Sequence, residues 1–302
     1  MLAIVFFSVG AAWAAAPDDQ REVVLSASIR IENRGDESVA EQVVSLTIPS
    51  DISNQQKVLS MAVPGQREPK IFDHPNQVDR FIMFRSRLPA HSVQEHTAQF
   101  RLKLSRFDYK QLRGNESAAG NANFLRATTY VESTSAELTE LAKKMATSHM
   151  DDEARLWAAY RYPQQNLKYR LIDNRGALFA LHNGYGDCTE YAAVFVALAR
   201  AMGYPARLTS EFNFSEDSAF DQPNHHAAEV YMNGHWIPVD PNLGTDKKSA
   251  YGFGTTGWHK VVLKRDGSWV WSTSSRGVSK TYRDSQMLVT VRWAIRSLTG
   301  QR

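Results

Sequence analysis

One apolar helix with a glycine at each end constrains the fold more than any other feature of this sequence. Residues 182–207 read HNGYGDCTEYAAVFVALARAMGYPAR, and a helical pattern begins at Cys188. Its large side chains recur on one stripe at Tyr191, Phe195, Leu198 and Met202. Gly203 is typical of a helix end, and a strand pattern, ARLTSEF, follows. This half of the chain therefore combines helices with strands.

A β-hairpin follows the helix, in the segment HAAEVYM-NG-HWIPVD. The Asn-Gly pair at 233–234 is the strongest short signal for a two-residue hairpin turn. Pairing the strands through that turn sets Asp240 opposite Ala227. Because side chains alternate along a strand, His225 shares the face of Asp240 and His226 points to the other side. A β-bulge that shifted the register by one residue would select His226 instead.

The first third of the sequence has a β pattern. Four alternating runs between Arg21 and Phe107 are separated by turn residues, which is typical of a sandwich-like module. We therefore predict a β-sandwich-like domain at 20–114, a linker at 115–130 and a second domain at 131–302. In the second domain, one helix is predicted to stop before Pro163.

The first sixteen residues, MLAIVFFSVGAAWAAA, are apolar and end in small residues. The run is shorter than the roughly 20 residues that a membrane helix needs, and Ala14-Ala15-Ala16 fits a signal-peptidase site. We predict a signal peptide at 1–16 and a periplasmic or secreted protein. Because no second apolar run approaches membrane length, no integral membrane segment is expected after signal removal.

Charge and motif content argue against several classes of function. The formal net charge is +3, and the charges are interspersed without a dense basic run, so no nucleic-acid partner is expected. The sequence has no glycine-rich phosphate loop and no Cys/His cluster with zinc-ligand spacing. His225 and His235 lie across a turn without a third ligand. We therefore expect no cofactor and no metal site.

Cys188 is the only cysteine in the chain. Cysteines of exported proteins usually pair, so a lone one is a buried small hydrophobe, an intermolecular link or a reactive thiol. At a helix N-terminus, unpaired N–H groups and the positive end of the dipole favour the thiolate and can hold an oxyanion. Asp187 and Glu190 would oppose the thiolate if they pointed at it.

A cysteine nucleophile needs a base, and the base needs a group that orients it. The predicted hairpin offers His225 as base and Asp240 as the orienting carboxylate, with His226 as the alternative base. Glu229 lies on the same face, where it either binds substrate or supports the hairpin. The histidine doublet also fits a polar loop entry with two ordinary exposed side chains.

The two segments GDCTEYAAVFVALARAMGYPARL and HHAAEVYMNGHWIPVDPN resemble the core of the transglutaminase-like superfamily over residues 176–243. The resemblance implies an α+β, papain-like core in which the helix carrying the cysteine packs on an antiparallel sheet. It also implies Cys188 as nucleophile, His225 as base and Asp240 as orienter. The sequence departs from the family's usual His-Ala-Trp at residues 225–227.

The resemblance also implies an upstream aromatic or amide side chain that helps to hold the oxyanion. Trp157, Asn183 and Tyr185 are candidates by type. Tyr185 ranks first because it is nearest to Cys188 in sequence. The sequence context of each of the three favours an ordinary core or loop role over an oxyanion role.

The sequence as a whole predicts an exported cysteine-dependent enzyme that transfers acyl groups from amide bonds. Hydrolysis is favoured over cross-linking because no feature specifies an amine-donor site. The substrate class remains open among peptide, protein and cell-wall amides, as does the partner of the β domain. The alternative hypothesis is a non-catalytic binding or assembly module that retains the transglutaminase-like fold.

Overall fold

The amino-terminal part of the protein consists of strands. The structure is a computed structural model that describes residues 20–66, 68–116, 121–243, 252–266, 270–278 and 284–298. The predicted signal peptide lies outside the described residues. The first strands are β1 Gln20–Asn33, β2 Val39–Ile48, β3 Gln56–Ala62, β4 Ile71–Asp73, β5 Arg80–Leu88, β6 Ser92–Ser105 and β7 Phe107–Asp108.

Helices and strands are mixed from residue 136 onwards. The helices are α1 Ala136–Met145, α2 Asp152–Asn166, α3 Ala177–Asn183 and α4 Cys188–Ala201. The first strands of this part are β8 Lys168–Tyr169, β9 Tyr185–Gly186, β10 Ala206–Asn213, β11 Ser218–Phe220, β12 His225–Met232 and β13 His235–Val239. The last are β14 Thr255–Thr256, β15 Lys260–Arg265, β16 Trp271–Arg276 and β17 Met287–Ser297.

Two sheets form a sandwich with one apolar core. Their strand orders are β11-β17-β1-β6-β3 and β16-β2-β5-β4. Along β1, the buried residues Val23, Leu25 and Ala27 alternate with partly exposed ones, as expected for a strand with one face on a core. The predicted β-sandwich-like module is confirmed.

A third sheet carries the predicted hairpin and supports the central helix. Its strand order is β13-β12-β10-β15, and α4 packs on β12 and β10 with α1, α2 and α3 around it. Every residue of α4 from Thr189 to Arg200 is buried, which explains why the segment is apolar throughout. The predicted arrangement of a cysteine-bearing helix on an antiparallel sheet is confirmed.

The third sheet and the sandwich are packed into one another. Ala206 and Leu208 of β10 belong to the core around α4, whereas Phe212 of the same strand belongs to the core of the sandwich. The ring centroids of Phe212 and Trp293, a residue of β17, are 5.3 Å apart. A single strand thus contributes to both cores.

The carboxy-terminal strands of the predicted second domain pair with strands of the first. The strands β16 and β17 lie within 131–302 and pair with β2 and β1 of the sandwich. Within the predicted linker, Asn121–Leu125 form a short 3-10 helix in which Phe124 is buried. The carboxy-terminal residues therefore complete the sandwich.

The prediction that a helix stops before Pro163 is wrong, because α2 continues to Asn166. A proline removes one backbone donor from a helix. Here Pro163 is itself buried, and the next turn is held by the Leu167 N–H, which donates to the Pro163 carbonyl at 2.9 Å. Burial of the ring offsets the lost hydrogen bond.

Candidate active site

The helix α4 presents Cys188 at its first turn. The thiol is partly exposed, although the helix behind it is buried. At this position the unpaired N–H groups of the first turn and the helix dipole both stabilise negative charge on sulfur. The same groups can bind an oxyanion that forms on a substrate carbonyl.

The two acidic residues next to Cys188 are engaged by backbone groups. Asp187 is the N-cap of α4, and its carboxylate accepts a hydrogen bond from the Thr189 N–H at 2.8 Å. Glu190 is fully buried and its two oxygens accept from the backbone N–H groups of Asp187 and Arg175 at 3.2 and 2.8 Å. Both carboxylates thus stabilise the turn that holds the cysteine.

Gly186 permits this turn because Glu190 approaches its backbone closely. A Cβ atom added at Gly186 would lie 2.3 Å from the Cβ of Glu190. Only glycine therefore fits two residues before Cys188 without displacement of the first helical turn. The Gly-x-Cys spacing of the sequence has a steric reason.

The hairpin brings His225 to Asp240. The observed pairing of Met232 with His235 confirms the predicted register. His225 Nε2 lies 2.6 Å from Asp240 Oδ2 in a buried contact. The other oxygen, Oδ1, accepts from the N–H groups of Asn242 and Leu243, both at 3.1 Å. The carboxylate is therefore fixed on both sides.

The environment of His225 favours its protonated form. Burial lowers the pKa of His225, but hydrogen bonds with Asp240 and Cys188 and the charges of Asp240 and Glu211 raise that pKa to about 10. Because Nε2 faces Asp240, Nδ1 is the ring nitrogen left for the thiol. A charged imidazole beside Cys188 favours the thiolate at neutral pH.

His226 has a different environment. Its Nδ1 lies 3.2 Å from Ser210 Oγ and 3.3 Å from the carbonyl oxygen of Thr209. Burial lowers the pKa of His226, which keeps this ring neutral at neutral pH. The structure thus separates the two histidines as the alternation of the strand predicts, with only His225 against Asp240.

Glu229 lies in a buried ion pair. Its Oε2 accepts from Nε and Nη2 of Arg207 at 2.7 and 2.6 Å, and both side chains are almost fully buried. The guanidinium of Arg207 also stacks on the Trp236 ring, 3.8 Å from its centroid. A carboxylate held in this way supports the sheet and is inaccessible to substrate. The prediction that Glu229 binds substrate is therefore not supported by its position.

The three side chains predicted as oxyanion candidates, Tyr185, Asn183 and Trp157, each make packing or hydrogen-bond contacts with neighbouring residues. The ring of Tyr185 packs against Phe179 and under the Arg170 guanidinium. The Asn183 side chain donates to the carbonyl of Phe179 at the end of α3. Trp157 is 48 % exposed on α2, and its ring centroid lies 5.3 Å from that of Phe253.

Tyr169 is a residue of the site that the sequence analysis missed. It pairs with Gly186 in the two-residue parallel ladder of β8 and β9, and its side chain is 54 % exposed. Burial and the negative charges at Cys188 and Asp187 raise the pKa of Tyr169, and its pairing with Gly186 in the ladder sets it two residues from Cys188. A ladder of two residues leaves no periodic signal in sequence, and nothing local could have identified this tyrosine.

No group of His, Cys, Asp and Glu side chains suited to a metal ion occurs among the residues that the structure describes. Within the same ranges, no helix is both long and apolar enough to cross a bilayer.

Comparison with known proteins agrees with the observed architecture. Residues 139–241 match the model of the transglutaminase-like superfamily. A crystal structure of a "Putative Cysteine Protease" from Cytophaga hutchinsonii is similar at 16 % identity and a TM-score of 0.53, over 91 % of this chain and 98 % of that chain. The periplasmic domain of TgpA from Pseudomonas aeruginosa matches at 15 % identity and a TM-score of 0.37, over 72 % and 93 %. No curated protein sequence matches the chain significantly.

The family match includes the helix of Cys188 and the hairpin that carries His225 and Asp240. The similar crystal structure extends over nearly the whole chain and supports the combination of sandwich and core as one fold. Residues 139–241 therefore match the core of the transglutaminase-like superfamily, in sequence pattern and in fold.

Proposed function

We propose that the protein is a cysteine-dependent enzyme that cleaves amide bonds, with Cys188 as nucleophile, His225 as base and acid, and Asp240 as the orienting carboxylate. The observation that carries the proposal is the position of His225. It is hydrogen-bonded to Asp240, and its interaction with the thiol of Cys188 at a helix N-terminus helps to raise the pKa of His225. The fold shared with a protein described as a cysteine protease agrees with this assignment.

In the proposed reaction, the Cys188 thiolate attacks the carbonyl carbon of the amide. A C–S bond forms, and the π electrons of the carbonyl move to its oxygen. The oxyanion is held by the N–H groups of the first turn of α4 and by the Tyr169 hydroxyl. Collapse of this intermediate breaks the C–N bond, and the imidazolium of His225 gives its proton to the leaving nitrogen.

The resulting thioester is resolved by an acceptor. We propose water, because water needs no dedicated binding site. His225 accepts a proton from water as the oxygen attacks, the C–S bond breaks and the thiolate is restored. Peptide, protein and cell-wall amides are the proposed substrates. The apolar segment at residues 1–16 supports action in the periplasm or outside the cell.

The pH dependence of Cys188 alkylation by iodoacetamide tests the proposal without a known substrate. A free thiol has a pKa near 8.5, so it is nearly all protonated at pH 6. The proposed ion pair predicts rapid alkylation there, and His225→Ala is expected to slow it by roughly 10- to 100-fold. His226→Ala is the matched control and is expected to leave the rate unchanged.

An inert Cys188 in the wild type at pH 6 would refute the proposal and favour the non-catalytic binding module. If His226→Ala were the damaging change, the base would be His226. Mass spectrometry of a mixed peptide library then distinguishes hydrolysis, which adds water to the acyl group, from acyl transfer, which joins the acyl group to the amine of a second chain.

A further inference from the structure

A second buried carboxylate stands next to His225. Glu211 and His225 are opposite each other in the antiparallel ladder of β10 and β12. Opposed residues point to the same face, with Cβ atoms about 5 Å apart. The Glu211 side chain is 1 % exposed, so solvent does not screen its charge from the imidazole.

The two oxygens of Glu211 differ in their contacts. Oε1 accepts hydrogen bonds from Thr209 Oγ1 at 2.7 Å and from Lys260 Nζ at 2.9 Å. Oε2 is buried without a hydrogen-bond partner. A buried carboxylate with one unsatisfied oxygen is costly unless positive charge lies nearby. Lys260 supplies one such charge, and a protonated His225 supplies a second.

A β-bulge lies at this point of the sheet. Between β10 and β15, Ser210 pairs with Lys264 and Glu211 pairs with Val262, which leaves Leu263 as the extra residue. Bulges change the direction of side chains and occur frequently next to active sites. The irregularity coincides with the residue that faces His225.

We propose that Glu211 is a positioning residue whose buried charge keeps the imidazole of His225 protonated and directed at Cys188. The inference rests on the function proposed for Cys188 and His225. Glu211 acts through the histidine and does not contact substrate. No bond to Glu211 forms or breaks in the proposed reaction.

Several other ionisable groups lie around His225 and also affect the protonation of its imidazole. They are Asp240 at the end of β13, Cys188 and Asp187 at the start of α4, Lys260 and His259 at the start of β15, and His226 beside it on β12. Asp240 and Glu211 favour the imidazolium, as does a thiolate at Cys188. The positive charge of Lys260 opposes the imidazolium, and His259 is kept neutral because burial lowers its pKa.

Titration of the His225 imidazole by NMR tests the inference in the full chain labelled with ¹³C-histidine. The signal is assigned by its absence in His225→Ala. In Glu211→Gln, the midpoint is expected to fall by about 1 to 3 pH units, because an opposite charge next to the ring is lost. Glu211→Asp keeps the charge and should stay near the wild-type midpoint.

Glu229→Gln is the matched control. It neutralises another buried, ion-paired carboxylate on the same face of β12, four residues and roughly 13 Å from His225 along the strand. The titration midpoint of His225 in Glu229→Gln should equal that in the wild type. An equal fall in Glu229→Gln and Glu211→Gln would overturn the inference, since the effect would then be a general loss of packing.

If Glu211→Gln does not fold, because Lys260 is left buried and unpaired, the double variant Glu211→Gln with Lys260→Met removes both charges. A smaller fall of the midpoint is expected there, since Glu211 is directly opposite His225 in the ladder whereas Lys260 contacts Glu211. An unchanged midpoint overturns the inference. If Cys188 alkylation still depends on His225, the proposed function survives that result, whereas an inert wild-type thiol refutes the function itself.

Discussion

At the scale of single residues, the charge of His225 links the site to the stability of the protein. An unfolded chain leaves this imidazole with its ordinary pKa near 6.5, whereas contacts in the folded state raise the pKa of His225 to about 10. The folded state therefore binds the proton more tightly. Linkage makes the resulting stabilisation complete below pH 6.5 and removes it progressively as pH rises from 6.5 to 10.

We expect the melting temperature of the wild type to fall more steeply between pH 7 and 10 than that of His225→Gln. The glutamine cannot titrate, so its variant lacks this contribution at every pH. Differential scanning calorimetry at matched ionic strength measures both profiles. Parallel profiles over that window would contradict the raised pKa of His225.

Tyr169 provides a second prediction at this scale. Tyr169→Phe removes only the hydroxyl that we propose as an oxyanion donor, and loss of one such donor is expected to slow acyl transfer by about 100-fold. Hydrolysis of a mixed peptide library, followed by mass spectrometry, measures the rate. Tyr185→Phe is the matched control, because the Tyr185 ring packs between Phe179 and Arg170. Equal losses in both variants would argue against an oxyanion role for Tyr169.

At the scale of elements, the turn from β9 into α4 has little room for change. Glu190 fills the space over Gly186, and its carboxylate accepts hydrogen bonds from the backbone N–H of Asp187 in the turn and of Arg175 before α3. We expect Gly186→Ala to destabilise the protein by about 1 to 3 kcal/mol, as other overpacked sites do. It should also slow Cys188 alkylation, because the first turn of α4 must move.

Gly203→Ala tests whether this effect is specific to the turn. Gly203 ends α4 with a φ of +91°, and no atom lies within 4 Å of an added Cβ. Gly203→Ala is therefore expected to destabilise the protein only through backbone strain, by about 1 to 2 kcal/mol. This strain lies at the opposite end of α4 from the thiol. Urea unfolding should show both variants destabilised, with alkylation slowed only in Gly186→Ala. Slower alkylation of Cys188 in both variants would contradict the steric role of Gly186.

The elements with a local signal could be predicted from the sequence. The Asn-Gly turn defines the register of β12 and β13, and that register directs His225 to Asp240. The contribution of Tyr169 could not be predicted, because β8 pairs with β9 over two residues only. The role of Glu211 could not be predicted either. Its position opposite His225 depends on the pairing of β10 with β12, and a bulge in β15 lies at the same point.

At the scale of the whole molecule, the two cores depend on each other. The strand β10 has Leu208 in the core around α4 and Phe212 in the core of the sandwich. The strands β16 and β17 pair with β2 and β1. Pairing between sequence-distant strands is invisible to patterns within a short window, so the sequence could suggest two consecutive domains but not their interlocking.

We therefore expect residues 131–302 alone not to fold cooperatively. In that fragment β16 and β17 lose their partner strands, and Trp293 and Phe212 lose most of the core that covers them. Circular dichroism during thermal unfolding compares the fragment with residues 20–298, for which one sharp transition is expected. A sharp transition in the fragment would show that the second domain is independent.

The pairing of β1 with β17 also determines when the protein can fold. These strands lie at opposite ends of the described chain and are neighbours in one sheet. Contacts between such distant segments form late and slow the folding of a domain. Until β17, Met287–Ser297, has been synthesised, the sheet lacks Trp293, whose ring packs on Phe212 of the strand that carries Glu211. The site proposed around Cys188, His225 and Glu211 is therefore expected to be complete only once β17 has paired with β1.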